Sequence, residues 1–299
     1  MHRDRIRNVA FNLAVTAVPK LRSLQRVESM PLLKDLRFEH REVTYGLDLP
    51  GSQSQQPSVL AFSIWKAGST LLYQMLKAMC AAAGLTYFSP DDTLFGKGLL
   101  YRPSNIGHAF LEAGYCYGGF RIFPYYPIPI LDTAKTVLLV RDPRDALVSL
   151  YFSIRDSHIL PPADTELAEK MILHREQTKA QSINQWALEN HGMIMAAFEG
   201  YLVNGFARRE NVRTYRYEDI IFRKREWAAD IGEWYGWDLG TDIIEQIIAP
   251  LDVLPEEERP REHIRQVRPG NFRRHLSPET QSKVADIFHQ YLETLGYSR

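Results

Sequence analysis

Cysteine is nearly absent: the 299 residues hold only Cys80 and Cys116, and the two lack the spacing of a metal-ligand set. A disulfide framework and a cysteine-ligated metal are thereby excluded as organising features. Two buried free thiols in a reducing compartment are expected, with a single disulfide as the alternative. Long hydrophobic runs are missing as well. The apolar stretch Val9 to Val18 sits behind Arg3, Arg5 and Arg7 in the manner of a short signal peptide, but falls well short of the ~20 apolar residues that a membrane span needs. Nor is there an excess of one charge, since Lys plus Arg and Asp plus Glu number 36 each. Nothing global therefore draws a nucleic acid or an acidic partner, and any anion site has to be local. Repeats and low-complexity tracts are lacking too, which excludes solenoids and fibrous arrays.

What is present begins with a helical period. Ile6, Val9, Ala10, Leu13, Ala17, Leu21 and Leu24 recur at helical spacing, with Arg7, Lys20, Arg22 and Arg26 between them. The spacing predicts an amphipathic helix, packed on the body or a partner subunit, or else laid on an anionic membrane surface. It heads a segment over residues 1–50. The polar loop from Gly51 to Pro57 then opens a single domain over residues 51–299.

In that domain, strands alternate with helices. Ser58 to Ile64 and Thr136 to Val140 are continuous apolar runs of buried-strand length, and a third strand is expected from Val212 to Tyr217. A helix is predicted from Leu71 to Ala83, stopped by Gly84. Another opens at Arg141-Asp-Pro-Arg-Asp145, with Asp142 as N-cap, Pro143 in the first turn and Asp145 favouring the dipole. Further helices are expected near Trp227 to Tyr235 and from Ser277 to the residue before Gly296. The pattern predicts an α/β fold, a central parallel sheet flanked by helices.

Two strand-to-helix junctions carry chemistry. Lys66-Ala-Gly-Ser-Thr70 delivers a small-residue loop into a helix start, where unpaired N–H groups and the helix dipole favour an anion. Lys66 adds a full charge, Ser69 and Thr70 add hydroxyls, and Gly68 allows close backbone approach. This is not the nucleotide triphosphatase motif, in which the lysine follows the second glycine. The order Lys-x-Gly-Ser-Thr resembles the 5′-phosphosulfate loop of sulfotransferases that use PAPS (3′-phosphoadenosine-5′-phosphosulfate). Arg141 followed by Ser149 resembles the second motif of that family, and Arg268-Pro-Gly270 resembles its third.

The resemblance implies a P-loop-like sulfotransferase architecture in which residues 51–299 form one PAPS-binding domain. Lys66 would meet the 5′-phosphosulfate and the leaving oxygen, and the amides of Ala67, Gly68, Ser69 and Thr70 would cradle the phosphate. Arg141, Ser149, Arg268 and the amide of Gly270 would hold the 3′-phosphate, with Tyr217 against the adenine. An arginine suits phosphate because its fork makes bidentate bonds. Two departures stand out. The family's tryptophan-lysine pair is replaced by Phe272-Arg273, and Gly119 to Pro124 lacks the histidine that serves many members as base.

Between the first two motifs, His108, Asp91, Asp92 and Glu112 are candidate bases, with His158 beyond the second. His108 is preferred because an imidazole titrates near ~6.5 with little tuning. The aromatic cluster Tyr115, Tyr117, Phe120, Phe123, Tyr125 and Tyr126 would either line an acceptor pocket or pack the core, and the second is favoured. The expected reaction moves a sulfuryl group from PAPS to a hydroxyl or amine and releases PAP, without a metal. The acceptor would be a small molecule, carbohydrate or lipid, with no nucleic acid partner. A cytoplasmic location is expected, peripheral to a membrane if the N-terminal helix docks there, and a homodimer is left open. The competing readings are an ATP-dependent nucleotide kinase or NTPase, and a non-catalytic nucleotide-binding relative.

Overall fold

The computed structural model describes residues 32–38, 41–98, 106–124, 126–202, 205–255 and 266–298. The amphipathic helix expected over residues 6–26 lies outside them. The segment that follows is a strand pair: β1 (Leu32–Phe38) runs antiparallel to β2 (Arg41–Leu49), with an irregularity between Leu36 and Phe38. Val43, Tyr45, Leu47 and Leu49 carry the period-two signal of β2, a strand pair not expected within the extension that follows the helix.

Five parallel strands make the main sheet: β3 (Val59–Ser63), β4 (Thr86–Phe88), β5 (Tyr115–Phe120), β6 (Thr136–Val140) and β7 (Val212–Arg216), in the order β4-β5-β3-β6-β7. Residues of β3, β5 and β6 are buried throughout, which is why their sequences do not alternate. The third expected strand stops one residue early, because Tyr217 opens the next helix.

Helices α1 (Ser69–Ala83), α2 (Pro90–Gly96), α3 (Pro143–Phe152), α4 (Glu166–Lys179), α5 (Ile183–Leu202), α6 (Tyr217–Ile220) and α7 (Lys224–Tyr235) precede α8 (Thr241–Ile248), α9 (Phe272–His275), α10 (Pro278–Ile287) and α11 (His289–Thr294). The single terminal helix expected after Ser277 is thus two, parted at Phe288. Helix α1 packs on β4, β5 and α8, while α3, α5 and α10 form a second mutually packed group. Gly84 ends α1 with φ 78°, and its N–H returns to the Cys80 carbonyl.

The core is aromatic where the sheet meets α5. Phe62 stacks on Phe120 at 4.7 Å between centroids and meets Tyr201 and Phe206 edge-on. Removing one such side chain from water is worth about 1.5–3 kcal/mol. Tyr115, Tyr117 and Phe120 are buried in this core, so the aromatic cluster packs the sheet; Tyr125 lies outside the described residues. Cys80 and Cys116 are buried free thiols.

Topology fixes where a ligand belongs. From β3 the chain crosses toward β4 and β5, whereas from β6 it crosses the other way to β7. The carboxyl ends of β3 and β6 therefore flank the point where connections diverge, the usual crevice of open α/β sheets. Lys66 follows one of those ends and Arg141 the other.

Candidate active site

Helix α1 starts at Ser69, two residues before the predicted start, so Ser69 and Thr70 lie in its first turn. Its N-cap is Gly68, at φ 96°, with no side-chain cap and no acidic residue in the first turn. Lys66 has φ 64°, and it is the one non-glycine residue at positive φ among the described residues. This backbone aims the first-turn N–H groups outward, where an anion gains from both the amides and the dipole. One expected donor is otherwise engaged: the Ala67 N–H turns back to the Ile64 carbonyl at 3.2 Å. The outward amides of the loop are those from Gly68 onward.

The start of α3 is built in the opposite manner. Asp142 caps it, accepting from the Arg144 N–H at 2.9 Å, and Pro143 sits in the first turn, as the sequence predicts. Arg144 pairs with Asp142 at 2.7 Å, donates to the Ser298 carbonyl and lies over the Phe272 ring. The Asp142 N–H in turn donates to Glu218, which also accepts from the Tyr297 hydroxyl at 2.6 Å. Sequence reading assigned Glu218 no part here.

Arg141 points across the crevice toward Lys66. Its Nη1 donates to the Lys66 carbonyl at 3.1 Å, its Nη2 lies 3.4 Å from Asp145 Oδ2, and its guanidinium covers the Tyr217 ring at 4.4 Å. Nε is buried and lacks a hydrogen-bond partner among the described residues. Burial works against its charge, but Tyr217, Asp145 and Glu218 outweigh it and hold the guanidinium above its ordinary pKa. Ser149 lies half-buried about two turns further along α3.

Tyr217 does not present its ring as expected for an adenine contact. It is 5% exposed, its hydroxyl donates to the Val267 carbonyl at 2.9 Å, and a Cβ on Gly68 would come within 3.0 Å of it. Burial raises its pKa and Arg141 opposes the rise, so the phenol stays neutral. The ring is packing that joins the Lys66 loop, Arg141 and the C-terminal segment. It also explains why position 68 is glycine.

In that third segment Arg268 is exposed, between buried Val267 and Gly270 at φ 82°. The Gly270 amide, expected to face a phosphate, donates instead to Asp145 Oδ2 at 2.7 Å, while the Phe272 amide donates to Asp145 Oδ1 at 2.9 Å. Asn271 lies between them, 2% exposed, and neither carboxamide atom has a partner among the described residues. Asp145 was not foreseen as an anchor, because its contacts join residues more than a hundred positions apart.

The candidate bases are scattered. His108 falls in the 3₁₀ turn Ile106–Ala109, and its side chain lies outside the described residues. Asp92 pairs with Arg121 at 2.7 Å, Asp91 accepts from Tyr126, and both sit in the first turn of α2. Glu112 is exposed, and the His158 carbonyl accepts from Arg175 on α4.

Comparison with known proteins decides the family. The sulfotransferase domain model matches residues 123–296, more than half of the chain. The chain belongs to the sulfotransferase domain family. This sulfotransferase is a PAPS-dependent enzyme, and the kinase reading falls. The matched span holds Arg141, Ser149, Tyr217, Arg268 and Gly270, whereas Lys66 and its loop precede it.

Two solved structures agree on the fold. A retinol dehydratase in complex with androsterone and inactive cofactor PAP is 18% identical over 79% of this chain and 80% of that one, with a TM-score of 0.52. A retinol dehydratase complex with retinol and PAP is 16% identical over 79% and 82%, at 0.51. A mouse sulfotransferase, SULT7A1, complexed with PAP is 15% identical over 80% and 85%, at 0.48. No curated protein sequence matches significantly. Among the described residues no helix is long and apolar enough to cross a membrane.

Proposed function

We propose that the crevice between the ends of β3 and β6 binds PAPS by its two phosphorylated ends. The observation that carries this reading is the convergence of Lys66 and Arg141, joined by the bond from Arg141 Nη1 to the Lys66 carbonyl. The uncapped start of α1 fits the 5′-phosphosulfate. Arg141, Ser149 and Arg268 fit the 3′-phosphate, and the unpaired Nε of Arg141 gives that phosphate a further donor.

PAPS supplies the sulfuryl group and departs as PAP. An acceptor hydroxyl or amine forms the new bond to sulfur as the bond from sulfur to the bridging oxygen breaks, and the electron pair stays on the phosphate. Lys66 meets that growing negative charge with a fixed ammonium. His108 is the proposed base, taking the acceptor's proton. Its replacement by alanine should lower kcat roughly 10²–10⁴-fold without weakening PAP binding. Undiminished kcat would pass the role to another group. The acceptor is proposed to be a small molecule, met beside β5 where Arg121 lies over the Tyr73 ring.

Melting the protein with PAP, with ADP, and with ATP plus Mg²⁺ tests the donor site. A ligand selective for the folded state raises the melting temperature by mass action. PAP should give the largest shift. A shift no larger than that from ADP would end the 3′-phosphate assignment.

A further inference from the structure

We infer that Asp145 is a positioning residue: it pins the Arg268–Phe272 segment beside Arg141, so that the two cations flank the 3′-phosphate before the nucleotide arrives. This rests on the donor site proposed above. Asp145 stands at the third position of α3, where a carboxylate would ordinarily serve only the helix dipole. Its side chain is fully buried, and its two oxygens are divided among three donors. Oδ2 accepts from the Gly270 amide at 2.7 Å and lies 3.4 Å from Arg141 Nη2, while Oδ1 accepts from the Phe272 amide at 2.9 Å.

Charge-assisted bonds of this length from a buried carboxylate are among the stronger polar contacts in proteins, because water cannot compete for them. They join α3 to a segment some 125 residues away, with both amides bonded on the same side of the backbone. The amides flank Asn271 and follow Arg268 closely, so the path of the chain that carries Arg268 is set by one carboxylate. The left-handed Gly270 makes this path feasible: its φ of 82° suits glycine, and a Cβ there would approach Arg273 at 3.1 Å. The same carboxylate steadies the Arg141 fork. A misplacement of about 1 Å at such a site can cost on the order of 10²-fold. Asn at 145 keeps the shape but offers one acceptor and a competing NH₂, so one of the two amides loses its partner.

The test compares wild type with Asp145→Asn for binding of PAP and of ADP, and for the KM of PAPS against kcat. Wild type should prefer PAP. In the variant PAP binding should weaken roughly 10- to 100-fold, with ADP unchanged and the KM of PAPS raised more than kcat falls. An unaltered ratio of PAP to ADP affinity in the variant would overturn the role of Asp145 while leaving the donor site intact. Equal binding of PAP and ADP by wild type would instead remove the donor site on which it rests. Hydrogen exchange of the wild type covers a variant that fails to fold. The Gly270 and Phe272 amides should exchange slowly without PAP, and fast exchange that slows only on adding PAP would also defeat pre-positioning.

Discussion

Two strand-to-helix turns of the same sheet have opposite construction. The turn from β3 into α1 has left-handed residues at Lys66 and Gly68, no side-chain cap and no acid in its first turn. The turn from β6 into α3 is capped by Asp142, has Pro143 in its first turn, and buries Arg141, Asp142, Arg144 and Asp145 in mutual bonds. The first leaves its helix dipole and amides for an anion, and the second uses its charges to hold one guanidinium rigidly. A helix start therefore does not bind phosphate merely by being a helix start. What distinguishes the two is whether the protein's own carboxylates already occupy the position.

The contrast predicts separable effects. Lys66→Ala should cut kcat about 10²–10³-fold, by loss of one charge at the leaving oxygen, while the melting temperature stays near wild type. Turnover assays beside thermal melts check this, and a matching loss of stability would erase the contrast. Arg141→Ala should weaken PAP binding about 10- to 150-fold, the scale of one hydrogen-bonded charge. Unlike the lysine variant, it should also lower the melting temperature, because Asp145 would be left buried beside an empty volume. Asp142→Ala should cost more in urea unfolding than the about 0.5–2 kcal/mol of a helix cap, because it also leaves the buried Arg144 without its carboxylate, with only a secondary effect on turnover.

Three of the five sheet strands were legible in the sequence, β3 and β6 because they are buried throughout, whereas the short β4 and the aromatic β5 were not assigned as strands. Thr136 to Val140 coincides with β6, and the run Ser58 to Ile64 brackets β3. The α1 end at Gly84 and the Asp142 cap were equally plain, since both are local. The strand pair β1–β2 follows a longer and stronger helical period, and only Val43, Tyr45, Leu47 and Leu49 alternate to mark it. At the site, residue types were legible but their partners were not. Tyr217 reads as an adenine contact until Gly68 and Arg141 are seen to cover its ring. Asp145 reads as a helix-start acid until the Gly270 and Phe272 amides converge on it. Such contacts depend on chain closure over long distances, which no local pattern encodes.

The positive φ of Lys66 has an evolutionary consequence. A side chain there costs about 1–2 kcal/mol relative to a backbone in the ordinary region, while glycine accepts it freely. Selection for thermal robustness alone would favour glycine at position 66, and the same substitution would strip the enzyme of its ammonium. A lysine kept in that conformation marks a place where turnover and durability pull the sequence in opposite directions.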